Sequence, residues 1–154
     1  ERGERVSSSA VRAALAEGDL LRAEHLLRRR YTMSGRVVHG EALGQKLGFP
    51  TANIALRRRP PMTGIFVVEA ELEETQRRLR GAASIGTRPT VREHAQPLLE
   101  VHLLDFDGVL YGKHLRVTFL EKLRAEQKFD GLDALRAAIA ADVARAREYF
   151  AQHG

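Results

Sequence analysis

The sequence predicts a mainly β protein: a small antiparallel barrel, with a short helical segment before it and one long helix after it. Three observations carry this expectation. Between residues 32 and 124 the apolar residues fall in short runs separated by turn formers, which is the pattern of strands. No helix of useful length interrupts those runs, whereas parallel strands need such a crossover between them. After residue 130 the apolar spacing becomes helical. An antiparallel sheet of this kind loses its exposed edges by closing on itself.

Residues 7–30 read as two short helices. Ser8 or Ser9 is placed to cap the first, Gly18 to lie just past its end, and Asp19 to cap the second. In the second, Leu20, Ala23, Leu26 and Leu27 form an apolar stripe. Strands are expected at 34–39, 53–56, 64–72, 80–85, 98–106 and 115–119, with Asp107-Gly108 as a hairpin turn. Asp130 is placed to cap the final helix, and Asp133 to sit near the positive end of its dipole. Leu132, Leu135, Ile139, Val143, Ala146 and Phe150 recur at helical spacing and predict a face packed on the barrel.

Composition narrows the function classes. The 154 residues suffice for one domain and a short appendage. No apolar run approaches the ~20 residues of a membrane span, and the first residues lack the apolar stretch of a signal peptide. The absence of cysteine excludes disulfides and thiolate metal sites. A cytoplasmic location without membrane partners is the expectation. A net charge of +5 favours anionic partners such as nucleotides, nucleic acid or acidic lipid. The clusters Arg28-Arg29-Arg30, Arg57-Arg58-Arg59 and Arg77-Arg78 read as solvated faces. Gly35-Arg36-Val37-Val38-His39-Gly40 is followed by Glu41-Ala42 and so is no Walker loop, and neither His-Glu-x-x-His nor Gly-x-Ser-x-Gly occurs.

The informative stretch runs from Gly40 to Asn53. Gly40, Gly44 and Gly48 let a backbone approach a bound group closely, and Lys46 adds a cation beside the N–H donors, a combination suited to phosphate. Pro50 fixes the start of the next strand. Thr51 and Asn53 stand two apart on an extended backbone and therefore share a face. Their hydroxyl and carboxamide oxygens are hard, neutral ligands of the kind magnesium takes one or two at a time. The same stretch also reads as a glycine-rich turn leading into an edge strand. Glu100 shares a face with His102, Leu98 and Leu104. A carboxylate there is either a buried acid–base group or part of a surface strand facing water. Residues 119–129 mix charges with two aromatics, as a surface loop or one wall of a pocket would.

Five ordered segments resemble the riboflavin kinase family: Leu47-Gly48-Phe49-Pro50-Thr51-Ala52-Asn53, Ser84-Ile85-Gly86-Thr87-Arg88-Pro89-Thr90, Leu99-Glu100-Val101-His102-Leu103-Leu104-Asp105-Phe106, Tyr111-Gly112, and the run from Phe119 through Arg124, Glu126 and Phe129 to Leu135. The resemblance spans about residues 31–150. It implies a six-stranded antiparallel barrel of Greek-key type with a C-terminal helix, and transfer of the γ-phosphate of Mg-ATP to riboflavin, giving FMN and ADP. By residue match it makes Thr51 and Asn53 the magnesium ligands and Glu100 the catalytic base. Gly40, Gly44, Lys46 and Gly48, with Pro50, Thr51 and Asn53, would bind ATP, and Arg88, Pro89, Arg124 and Glu126 would border the flavin. The family's basic residue directly follows the glycine matched by Gly44; here Gln45 holds that place and Lys46 comes next.

Residues 6–12 resemble the end of the adenylyltransferase module that precedes the kinase in bacterial FAD synthetases. Residues 1–30 are therefore expected to be a remnant of that module and 31–154 the kinase domain. The chain is not expected to make FAD from FMN. Two rival readings keep the barrel without turnover: a basic binder of single-stranded nucleic acid, and a flavin-binding regulator. Against the first, aromatics are 6% with no Trp, and no strand interleaves basic and aromatic residues.

Overall fold

The computed structural model describes residues 8–38, 48–56, 60–86, 98–106, 108–127 and 129–153. Two helices lead: α1 (Ser8–Ala16) and α2 (Leu20–Leu27). Gly18 between them adopts φ +78°, and the Asp19 side chain accepts a hydrogen bond from the Arg22 N–H at 3.0 Å, as a helix cap should. Six strands follow: β1 (Thr32–Val38), β2 (Thr51–Ala55), β3 (Gly64–Leu72), β4 (Arg78–Ile85), β5 (Leu98–Leu103) and β6 (His114–Arg124). The chain then forms one long helix, α3 (Leu132–His153).

The strands close into a barrel in the order β1-β2-β5-β4-β3-β6, and every neighbouring pair is antiparallel. Strands β3, β4 and β5 are successive neighbours and β6 returns beside β3, which is the Greek-key arrangement. The expected hairpin at Asp107-Gly108 does not form, because β5 already pairs with β2 and β4, while β6 pairs with β1 and β3. Asp107 itself lies outside the described residues, as does His39 of the first expected strand. Strand β5 stops at Leu103, and Asp105 takes a left-handed φ of 52° where the chain turns away. Strand β6 runs longer than expected in both directions.

Alternation divides the side chains between two cores. Ala52, Ile54, Phe66, Val68, Ala83, Ile85, Leu99, Val101, Val117 and Phe119 fill the barrel, with the Phe66 and Phe119 rings meeting edge to face at 5.4 Å. Ala14, Leu15, Leu20 and Ala23 of the leading helices join this cluster. The opposite, outer face of the sheet carries Ile65, Val67, Ala82, Leu104 and Leu123, and α3 covers them with Ala146 and Phe150. The expected helix stripe holds for Ile139, Val143, Ala146 and Phe150, but Leu132 is exposed and Asp142 is buried. The helix begins at Leu132, so Gly131 (φ +111°), and not Asp130, occupies the capping position.

Candidate active site

Strand β2 starts just after a constrained piece of backbone. Gly48 adopts φ +98°, a conformation that a side chain resists, and Pro50 fixes the next turn of the chain. The Pro50 carbonyl accepts the Leu103 N–H at 2.8 Å, which ties this point to β5. From there Ala52 and Ile54 point into the barrel, so Thr51 and Asn53 point outward. On β5 the same alternation buries Leu99, Val101 and Leu103 inward and turns Glu100 and His102 out.

The antiparallel register brings these four together. Asn53 lies opposite Glu100 and Thr51 opposite His102, and such partners have Cβ atoms about 4.5–5.5 Å apart. The row continues around the outside of the barrel as Asn53, Glu100, Ser84, Ile65 and Arg124, each the register partner of the next. Thr51, Asn53, Glu100 and Arg124, picked out from separate stretches of sequence, thus stand on one outer surface. Arg124 is three strands from Glu100, about 14 Å at the usual interstrand spacing.

The patch contains more buried polar groups than its sequence signal suggested. Asn53 is 6% exposed, and its carboxamide has no hydrogen-bond partner among the described residues. The Thr51 hydroxyl donates to the Phe49 carbonyl at 2.9 Å and lies 3.0 Å from His102 Nδ1. His102 is 4% exposed; burial pulls its pKa from 6.5 to about 4, a fall that the Asp142 charge partly offsets. The imidazole is therefore neutral near pH 7. Asp142 on α3 accepts two hydrogen bonds from Arg124, Nε at 2.9 Å and Nη2 at 2.8 Å, a fork-to-carboxylate pair. Arg124 Nη1 also donates to the Ala125 carbonyl at 3.2 Å, and the guanidinium carbon lies 5.5 Å from the centre of the Phe129 ring.

The donor set fits a hard divalent cation. Asn53, 6% exposed as a residue, offers a carboxamide oxygen with no hydrogen-bond partner among the described residues, and Thr51 retains one lone pair after its two hydrogen bonds. No group of three or more His, Cys, Asp or Glu side chains that could hold a metal occurs among the described residues. An ion here would thus rest on neutral oxygens plus those of a ligand, as magnesium does beside phosphates.

Gly40, Gly44, Gln45, Lys46, Arg88 and Pro89 lie outside the described residues. Glu126 is half-buried just after β6. A cleft of about 450 Å³ sits at the far end of α3, lined by Arg77, Arg78, Arg80, Leu104, Arg147 and Phe150. None of Thr51, Asn53 or Glu100 borders it, so the candidate site rests on the strand register of these residues and not on a cavity. Asp142 was missed from the sequence, although it falls three residues after Ile139 and four before Ala146. An acid so close to an apolar stripe needs a buried partner. His102 was seen on the Glu100 face without a role of its own.

The chain is similar to known proteins over most of its length. The family described as Flavokinase: Riboflavin kinase matches residues 27–150. The bifunctional riboflavin kinase/FMN adenylyltransferase of Escherichia coli (strain K12) is 52% identical over 97% of this chain and 48% of its own length. The chain thus spans about half the length of the relatives it matches. Among solved structures, one described as a macrolide-efflux protein from Streptococcus pneumoniae shares 34% identity at TM-score 0.79, covering 92% of this chain and 46% of that one. Riboflavin kinase from Trypanosoma brucei shares 26% identity at TM-score 0.53, covering 77% of this chain and 75% of that one.

Proposed function

The chain belongs to the riboflavin kinase family, and from this we propose that it transfers the γ-phosphoryl group of ATP to the 5′-hydroxyl of riboflavin, giving FMN and ADP. The observation that best supports the reading is the direct pairing of Asn53 with Glu100, with Thr51 two residues along on the same face. It sets two neutral oxygen ligands beside one carboxylate, so a nucleotide held by the first can meet a hydroxyl held by the second.

Thr51 and Asn53 hold the cation, magnesium in this reading. When bound, it neutralises charge on the phosphates, the main demand of phosphoryl transfer besides positioning. Glu100 orients the riboflavin hydroxyl and takes its proton as the new O–P bond forms. Gly40, Gly44, Lys46 and Gly48 cover the phosphates with backbone N–H groups and one cation. Arg124 and Glu126, with Arg88 and Pro89, border the flavin. Three of the five Arg124 N–H groups already serve Asp142 and Ala125, so Arg124 acts there as a side chain held in place, with one N–H left on each terminal nitrogen. Residues 1–30 belong in this reading to the passage from an upstream adenylyltransferase domain, the second activity that the relatives' names carry.

The test is direct. The protein is incubated with riboflavin, ATP and Mg²⁺, and riboflavin is separated from FMN. FMN should accumulate with equal ADP and stop on chelation. Riboflavin binding without ADP release would reduce the protein to a flavin binder.

A further inference from the structure

The Thr51 hydroxyl carries one proton and two lone pairs. That proton is committed: Oγ1 donates it to the Phe49 carbonyl at 2.9 Å. The 3.0 Å contact between Oγ1 and His102 Nδ1 must then run the other way, with Nδ1–H as donor and the hydroxyl oxygen as acceptor. Three of the four tetrahedral directions around Oγ1 are thereby filled, by Cβ, by the proton aimed at Phe49 and by the His102 N–H. One lone pair is left, in a fixed direction.

The surroundings leave His102 little freedom to do otherwise. It is 4% exposed on β5, directly opposite Thr51 on one side and Ala82 on the other. The Phe49 ring lies 6.3 Å away between centres. The Phe49 carbonyl is steadied in turn by Pro50, whose own carbonyl is bonded to the Leu103 N–H on β5. Serine or threonine hydroxyls otherwise rotate to suit their neighbours. Here the rotor is stopped.

We propose that His102 is a positioning residue: its Nδ1–H holds the Thr51 hydroxyl so that the remaining lone pair, and not the proton, meets the divalent cation. This rests on the reading of Thr51 as a metal ligand. Partners that orient a ligand from behind are worth about 10–100-fold in metal affinity. The inference also assigns the ring's tautomer without reference to any ligand, because only a ring protonated at Nδ1 satisfies both contacts.

Two measurements test it. Long-range ¹H–¹⁵N correlation on the metal-free protein near pH 7.5 should show His102 protonated at Nδ1 and bare at Nε2; an Nε2–H ring overturns the proposal without any substitution. The second compares Mn²⁺ affinity in the presence of ADP, read by electron paramagnetic resonance, in variants whose fold is checked by circular dichroism. His102→Asn places an amide N–H where Nδ1–H stands and should keep near-native affinity. His102→Gln places it where Nε2 stands and should weaken Mn²⁺ binding about tenfold. Equal affinities in both variants and the parent, with Thr51→Ala weakened, overturn the positioning role and leave Thr51 a ligand. Unchanged affinity in Thr51→Ala overturns the ligand reading itself, and the positioning role with it.

Discussion

Glu100 faces Asn53 across the β2–β5 ladder, and in the proposed mechanism its carboxylate takes the proton of the riboflavin hydroxyl. General-base groups contribute about 10²–10⁴-fold in rate, so Glu100→Ala should lower kcat by that order. Nucleotide affinity should scarcely change, since Thr51 and Asn53 remain in place. Steady-state kinetics together with nucleotide titration separate the two effects, and a near-native kcat in the variant removes Glu100 from the mechanism. At this scale much was legible. Period-two alternation set Thr51 with Asn53, and Glu100 with His102, each pair on one face. That the two faces meet was not legible from spacing, because the contact joins residues 51 positions apart. Only the family resemblance linked them beforehand. Nor could periodicity show that the Thr51 hydroxyl is held from two sides, since a hydrogen-bond direction depends on neighbours contributed by other strands.

Elements carry the next layer. Strand β6 breaks register with β3 at two places, between Ile65 and Phe66 and between Val67 and Val68. After these irregularities both Leu123 and Arg124 serve the outer side of the barrel: Leu123 packs under α3, and Arg124 clasps Asp142. Bulges re-aim side chains in this way near functional surfaces, and nothing in the run Phe119–Arg124 announces them. The same blind spot explains the misplaced hairpin, since Asp107-Gly108 is good turn chemistry wherever the strands on either side are going. The clasp itself is testable. Asp142 is 3% exposed and its two oxygens take two Arg124 donors, so Asp142→Ala strands a largely buried guanidinium. Breaking a buried pair costs about 3–5 kcal/mol; with the Arg124 side chain 22% exposed, about 3 kcal/mol is expected. Urea denaturation should show the midpoint falling while the slope holds. A loss confined to a few tenths would mean that the pair does little to hold α3, whose apolar contacts through Ala146 and Phe150 would then carry it.

At the scale of the molecule, one sheet serves two purposes by its two faces: the inner face makes the barrel core, and the outer face carries both the candidate active site and the seat of α3. His102 lies where these meet, hydrogen-bonded to Thr51 on one side and within reach of the Asp142 charge on the helix. Its pKa makes that position a property of overall stability. An unfolded histidine binds a proton below about pH 6.5, whereas the buried ring resists one until about pH 4. Between those values the unfolded state holds more protons than the folded state, so stability falls as pH falls through that window and is flat, for this group, above it. By pH 5 the loss is about 2 kcal/mol, and it saturates near 3 kcal/mol below pH 4. Urea midpoints measured at pH 7.5, 6 and 5 should therefore decline in the parent. In His102→Asn, which keeps a neutral donor but cannot titrate, the decline should be smaller by that amount. Parallel profiles for the two proteins would show that water reaches the ring that the structure buries.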